Sequence, residues 1–286
     1  MRNIVLKRKP NDIMYQPKNF VITVNSVRYF LKPFIALVKI MILIKLGGSI
    51  ITNKEKPLTP NRNSIRKIAS SLKNVDEPIV IIHGGGSFGH YWSVKYDMHT
   101  KPQRYNIKGV ATVKNSMVEL NSIVLESFLE SGLKPYCLPP SDFMMEDRPL
   151  TKKVEEISKI AKTGLIPISY GDAMWFGKNK FYILSGDRIM GVLAKLLRPR
   201  LAIFVTNVDG VYSDMKSKRL LNEITSEKPI TSEVTMDVTG GMSRKIKEAF
   251  SISKGGTDVF FVNGKVPKRI TNAINGKSFE GTIFRG

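Results

Sequence analysis

Short apolar runs alternate with amphipathic stretches along most of this chain. The runs at 42–44, 79–82, 135–138, 165–170, 201–208, 258–262 and 281–284 are brief and rich in β-branched or aromatic residues, which reads as strands. Between them the apolar residues fall at helical spacing. Ile65, Ile68, Ala69 and Leu72 form one stripe within 60–73, opened by Pro60. Val110, Val113, Met117, Leu120, Val124 and Phe128 form the longest, within 108–131, with Gly132 where a C-cap belongs. Further helices are expected at 153–163 (ended by Gly164), after Ser185-Gly186-Asp187, after Thr239-Gly240-Gly241, and from Pro267. Residues 175–183 alternate around Gly177-Lys178-Asn179 and read as a hairpin. Strands that alternate with helices predict an α/β fold, with a mainly parallel sheet covered on both faces.

Residues 1–40 break this rhythm. They are basic, interrupted by Pro10, Pro17 and Pro33, and show no sustained period. The apolar run at 34–46 is interrupted by Lys39 and Lys45, too short and too charged to span a bilayer. The expectation is a basic N-terminal extension, 1–40, translated from a misplaced start and not part of the native protein, followed by one domain, 41–286. A basic tail that binds anions is the functional alternative.

Composition narrows the chemistry. Among 286 residues, 42% are hydrophobic, enough for a substantial core, and the single cysteine, Cys137, excludes an intrachain disulfide framework and fits a reducing cytosol. No Cys/His group has zinc-site spacing. The net charge of +21 admits phosphorylated small molecules, nucleic acid or anionic membrane as partners. No nucleic-acid-binding signature accompanies it, and the expectation is a small phosphorylated substrate, with neither nucleic acid nor membrane.

The candidate chemistry lies at strand ends. The run at 79–82 enters His83-Gly84-Gly85-Gly86-Ser87-Phe88-Gly89-His90, where glycines let the backbone approach a ligand and aim N–H groups at it. Gly84, Gly86 and Gly89 satisfy G-x-G-x-x-G, but the acidic residue that a dinucleotide fold expects about 20 positions on is missing. A second glycine loop, Lys45-Leu46-Gly47-Gly48-Ser49, ends the first strand, and it is not a Walker A sequence. Parallel sheets gather such loops at one edge. The polar residues brought there are Lys45, Lys54, His90, Asp172, Asp187 and Lys245. Lysines and amides that neutralise a transferring group, with a few carboxylates, are what phosphoryl transfer needs.

These motifs, together with Val208-Asp209-Gly210-Val211-Tyr212 and Thr239-Gly240-Gly241, resemble the amino acid kinase family over essentially all of 41–286. Within it, Gly84 to His90 and Tyr170-Gly171-Asp172 are similar to the isopentenyl phosphate kinases, notably the archaeal type. The resemblance implies an αβα sandwich. The acceptor half would be 41–170 and the ATP half 171–286. It implies ATP-dependent phosphorylation of isopentenyl phosphate to isopentenyl diphosphate, with Mg²⁺, in a cytoplasmic homodimer. Lys45, Leu46, Gly47, Gly48 and Ser49 would line the ATP phosphates, with Gly85, Asp187, Gly241 and Lys245 completing the nucleotide site. Gly84, Gly85, His90 and Gly171 would hold the acceptor. Lys45, Lys54 and His90 would carry catalysis, and no metal-ligating residue is singled out. Two positions depart from the family pattern. Asn207 stands where Asp is common, and Ser243-Arg244 stand where Gly-Lys is often found. The alternatives are a related enzyme acting on another phosphate, phosphonate or carboxylate acceptor, and a non-catalytic nucleotide or nucleic-acid binder.

Overall fold

The computed structural model describes residues 20–24, 27–31, 41–53, 55–214, 219–225 and 241–286. The chain divides into two compact units, Met1–Val38 and Lys39–Gly286. In the first, Phe20–Val24 pairs antiparallel with Val27–Leu31. The reading of 1–40 as a basic, proline-interrupted stretch without a sustained period passed over this hairpin, although both segments are rich in β-branched and aromatic residues.

The second unit is built on eight strands: β1 (Ile42–Leu46), β2 (Ile79–His83), β3 (Pro135–Cys137), β4 (Ile166–Tyr170), β5 (Leu201–Thr206), β6 (Glu223–Thr225), β7 (Asp258–Asn263) and β8 (Gly281–Arg285). Their order in the sheet is β6-β8-β7-β5-β1-β2-β4-β3, parallel throughout except where β8 meets β7. The helices are α1 (Gly48–Ile51), α2 (Arg62–Ser71), α3 (Gly86–Lys95), α4 (Ile107–Glu130), α5 (Thr151–Lys162), α6 (Gly186–Leu197), α7 (Gly241–Lys254) and α8 (Lys268–Ile274). Asn61, Asn106 and Ser185 cap α2, α4 and α6, each side chain accepting from the amide three residues on.

Alternation along the central strands assigns each residue to one of two cores. Ile42, Ile44 and Leu46 of β1 and Ile203 and Val205 of β5 pack with α2, α4 and α8. Leu43, Val80, Ile82, Ala202 and Phe204 face the other way, onto α5, α6 and α7. The result is the three-layer αβα arrangement. Every residue of β1, β2, β4 and β5 is buried, so these strands read as mostly apolar runs instead of apolar–polar alternation, with Lys45, His83, Ser169 and Thr206 as buried polar exceptions. Asp172–Gly177 and Lys180–Leu184 form the expected hairpin, with Lys178 and Asn179 both left-handed at its tip. Among the described residues, no helix is long and apolar enough to cross a membrane.

Candidate active site

The carboxyl ends of β5, β1, β2 and β4 lie level, because Val205 pairs with Leu46, Leu46 with His83, and His83 with Tyr170. The first glycine after each of three strands extends this ladder by one rung. The Gly47, Gly84 and Gly171 amides donate to Val205 O, Leu46 O and His83 O at 2.8, 3.0 and 3.1 Å. The chain then turns away, leaving the next amides unused. Those of Gly48, Ser49, Gly85 and Gly86 find no acceptor among the described residues. The two loops touch: a Cβ on Gly48 would overlap the Gly86 backbone, which is why neither position tolerates a side chain. Thr52 ties them together, its hydroxyl donating to Gly48 O at 2.8 Å and accepting from the Ser87 amide at 2.9 Å.

On the α6 side of the sheet, Lys45 is buried, 3% exposed, and forms an ion pair at 2.7 Å with Asp187 Oδ1. Asp187 stands in the first turn of α6, and Lys245 of α7 approaches its Oδ2 at 3.8 Å. Burial pushes the Asp187 carboxyl up, but the Lys45 and Lys245 ammoniums outweigh it and hold the group below the usual carboxylate range. Two cations around one carboxylate leave a net positive charge at the edge where the free amides of Gly48 and Ser49 lie. Ser49 Oγ donates to Asn207 Oδ1 at 2.9 Å, joining this loop to the end of β5. The structure thus brings Lys45, Leu46, Gly47, Gly48, Ser49, Asp187 and Lys245 together. Gly241 begins α7, while Lys54, Thr239 and Gly240 lie outside the described residues.

On the other side of the contact, His90 is exposed in α3, and no partner engages its side chain among the described residues. Gly85 and Gly89 pack against Met117 Sδ of α4, at 3.0 and 2.9 Å from where their Cβ atoms would stand. Met117, Leu120 and Phe128 are buried in the core. Gly171 leads into Asp172, which is 1% exposed and takes Lys114 Nζ at 2.5 Å and the Ala173 amide at 2.8 Å. Burial raises the Asp172 carboxyl despite Lys114. Sequence reading singled out Asp172 but missed Lys114, because the pair is 58 positions apart and α4 shows a lysine there only as part of its polar face.

His83 and Asn121 were also missed. His83 is fully buried, with Nδ1 3.2 Å from Gly84 O, Nε2 3.2 Å from Asn121 Oδ1, and its ring stacked on Tyr170 at 5.5 Å. Burial lowers its pKa to about 4, more than its two hydrogen bonds raise it. An unfolded histidine takes its proton near 6.5, so His83 contributes stability above that pH and loses it as the pH falls toward 4. The loss amounts to about 3 kcal/mol at most. Denaturant midpoints are expected to drop between pH 6.5 and 5, before carboxylates titrate. A flat profile there would contradict a buried neutral imidazole.

A resident metal finds no cage here. No group of three or more His, Cys, Asp or Glu converges among the described residues, and Asp187 is already engaged by two lysines. These residues do not fit a protein-held Mg²⁺, and no step is routed through one.

A family model, amino acid kinase, matches residues 41–263. The isopentenyl phosphate kinase of Thermoplasma acidophilum is 33% identical over 258 residues, spanning 86% of this chain and 100% of the relative. That of Methanothermobacter thermautotrophicus is 32% identical over 265 residues, 86% of this chain and 99% of the relative. A crystal structure of the T. acidophilum enzyme as a product complex matches with a TM-score of 0.72 at 29% identity, covering 86% of this chain and 100% of that one. The level glycine edge and its lysine–aspartate cluster fall inside the matched span, and this chain belongs to the amino acid kinase family.

Proposed function

We propose that this protein transfers the γ-phosphoryl group of ATP to isopentenyl phosphate, giving isopentenyl diphosphate. The observation that carries the reading is the back-to-back contact of two glycine loops, each with free amides at the same edge. One loop lies beside the Lys45–Asp187–Lys245 cluster and suits the ATP phosphates. The other lies beside His90 and suits an acceptor that is itself a phosphate. Two anion cradles in contact are what a transfer between two phosphates requires. The likeness to isopentenyl phosphate kinases selects the acceptor among phosphates.

In this reading 41–170 is mainly the acceptor half and 171–286 mainly the ATP half. The acceptor oxygen is already a nucleophile at neutral pH, so no covalent intermediate on the protein is needed. The chain's work is positioning and charge neutralisation. Lys45 draws charge from the transferring group, Lys245 keeps Asp187 ionised, and His90 donates to the acceptor phosphate. Lys54 belongs to the same proposal as a further cation. The protein works in the cytoplasm as a homodimer, with Mg²⁺ arriving on the nucleotide.

A coupled ADP-release assay across isopentenyl phosphate, dimethylallyl phosphate, fosfomycin, UMP and acetylglutamate tests this. Isopentenyl phosphate is expected to give the highest kcat/KM, and the same rate is expected from a chain shortened to begin at Met41. Turnover of UMP or acetylglutamate with none of isopentenyl phosphate would overturn the assignment.

A further inference from the structure

The loop proposed to hold the acceptor has a mechanical weakness. The peptide between Gly84 and Gly85 carries no side chain on either flank, so little but its hydrogen bonds fixes which way it faces. Turned one way, it offers the Gly85 N–H to a phosphate. Turned the other way, it offers the Gly84 carbonyl oxygen, which repels one. The Gly84 amide is held by Leu46 O at 3.0 Å, but that bond belongs to the preceding peptide.

We propose that His83 is a positioning residue for the acceptor phosphate: its Nδ1–H holds the Gly84 carbonyl inward, so that the Gly85 amide faces the cleft. The inference rests on the acceptor reading of this loop. A trans peptide is planar, with its C=O and N–H pointing in opposite directions. A carbonyl drawn to the buried imidazole therefore sends the Gly85 N–H outward. That amide has no acceptor among the described residues.

The proton on Nδ1 follows from counting donors. Both ring nitrogens stand 3.2 Å from an oxygen, Gly84 O and Asn121 Oδ1. A neutral imidazole has one N–H and cannot donate to both. Full burial disfavours the imidazolium that could. The Gly84 carbonyl can only accept, whereas a carboxamide can exchange its two ends by a half-turn. With Asn121 turned over, its Nδ2 donates to His83 Nε2, and its Oδ1 accepts from the Cys137 thiol, which stands 3.3 Å from the amide. Every contact in the chain Cys137, Asn121, His83, Gly84 is then donor to acceptor. Stacking on Tyr170 fixes the ring plane. The tautomer, set by α4 and the sheet edge, sets the face that the loop turns to its ligand.

Two measurements test this on the full chain. Long-range ¹H–¹⁵N spectra of ¹⁵N-histidine-labelled protein, which has three histidines, are expected to show His83 protonated at Nδ1 and bare at Nε2. A proton on Nε2 overturns the proposal whatever the kinetics. In the ADP-release assay, His83→Phe keeps a stacked ring without an N–H. It is expected to lower kcat/KM for isopentenyl phosphate at least tenfold, mostly through the acceptor's KM, with the KM for ATP within twofold. His83→Asn places an amide N–H near the Nδ1 position and is expected to return within threefold of the wild type. Equal losses in both variants, or parallel losses for both substrates, reduce His83 to a structural residue. Absence of wild-type turnover with isopentenyl phosphate overturns the acceptor reading itself. Wild-type turnover with an unimpaired His83→Phe overturns only the role of His83.

Discussion

Lys45→Met is expected to lower kcat by roughly 10²- to 10³-fold, the range found when one preorganised donor to developing charge is removed. Lys45 is 3% exposed near the carboxyl end of β1, close to two free amides, where little solvent screens its charge. Lys245 cannot replace it, being 3.8 Å from Asp187 and arriving from α7 on the opposite oxygen. The substitution also strands part of the Asp187 charge, so a fall in stability could be mistaken for a fall in catalysis. The double variant Lys45→Met, Asp187→Asn separates the two. It removes cation and carboxylate together and is expected to regain most of the lost melting temperature while kcat stays low. Recovery of kcat in the double variant would show that Lys45 only neutralises Asp187, and would remove it from the reaction.

What could be read in the sequence, and what could not, divides along physical lines. The strands β1, β2, β4 and β5 were legible because burial on both faces leaves runs that are mostly apolar, with polar residues few and mainly near their carboxyl ends, and α4 because its stripe repeats over 24 residues. The glycine loops were legible because close backbone approach admits no other residue, as the overlap at Gly48 and Gly86 illustrates. Lys45 and Asp187 were named separately, and their pairing across the core follows only from the register of β1 against α6. The parts that stayed hidden are long-range polar pairs. Lys114 with Asp172 and His83 with Asn121 join residues 58 and 38 positions apart, and nothing periodic marks either partner. His83 was noticed only as the residue before the glycines. Its burial, which makes it neutral and chemically useful, is a property of α4 lying over the end of β2. The short strand β6 escaped reading because three residues are too few to establish a period, whereas β3 falls inside the strand expected at 135–138.

His90→Ala is expected to lose about 10- to 150-fold in kcat/KM for isopentenyl phosphate, with ATP affinity nearly unchanged. The range follows from the roughly 1.5–3 kcal/mol that a hydrogen bond to a charged group contributes. A histidine near a helix start more often serves the fold, but the structure gives this one little to hold. It is exposed in α3, and no partner engages its side chain among the described residues. Its removal is therefore expected to change stability by no more than about 0.5 kcal/mol, as for other unpaired surface positions. The Gly85 and Gly86 amides begin the same helix and are also unbonded, so an acceptor phosphate seated on them lies one turn from the imidazole. His90→Gln and His90→Asn keep an N–H donor and are expected to recover part of the loss, as far as reach allows. The effect differs in kind from that of Lys45, which acts on kcat from the ATP side. Should His90→Ala leave acceptor kinetics intact, or weaken ATP binding alone, the acceptor does not sit over Gly85. The division of this edge into an ATP cradle and an acceptor cradle would then have to be reversed.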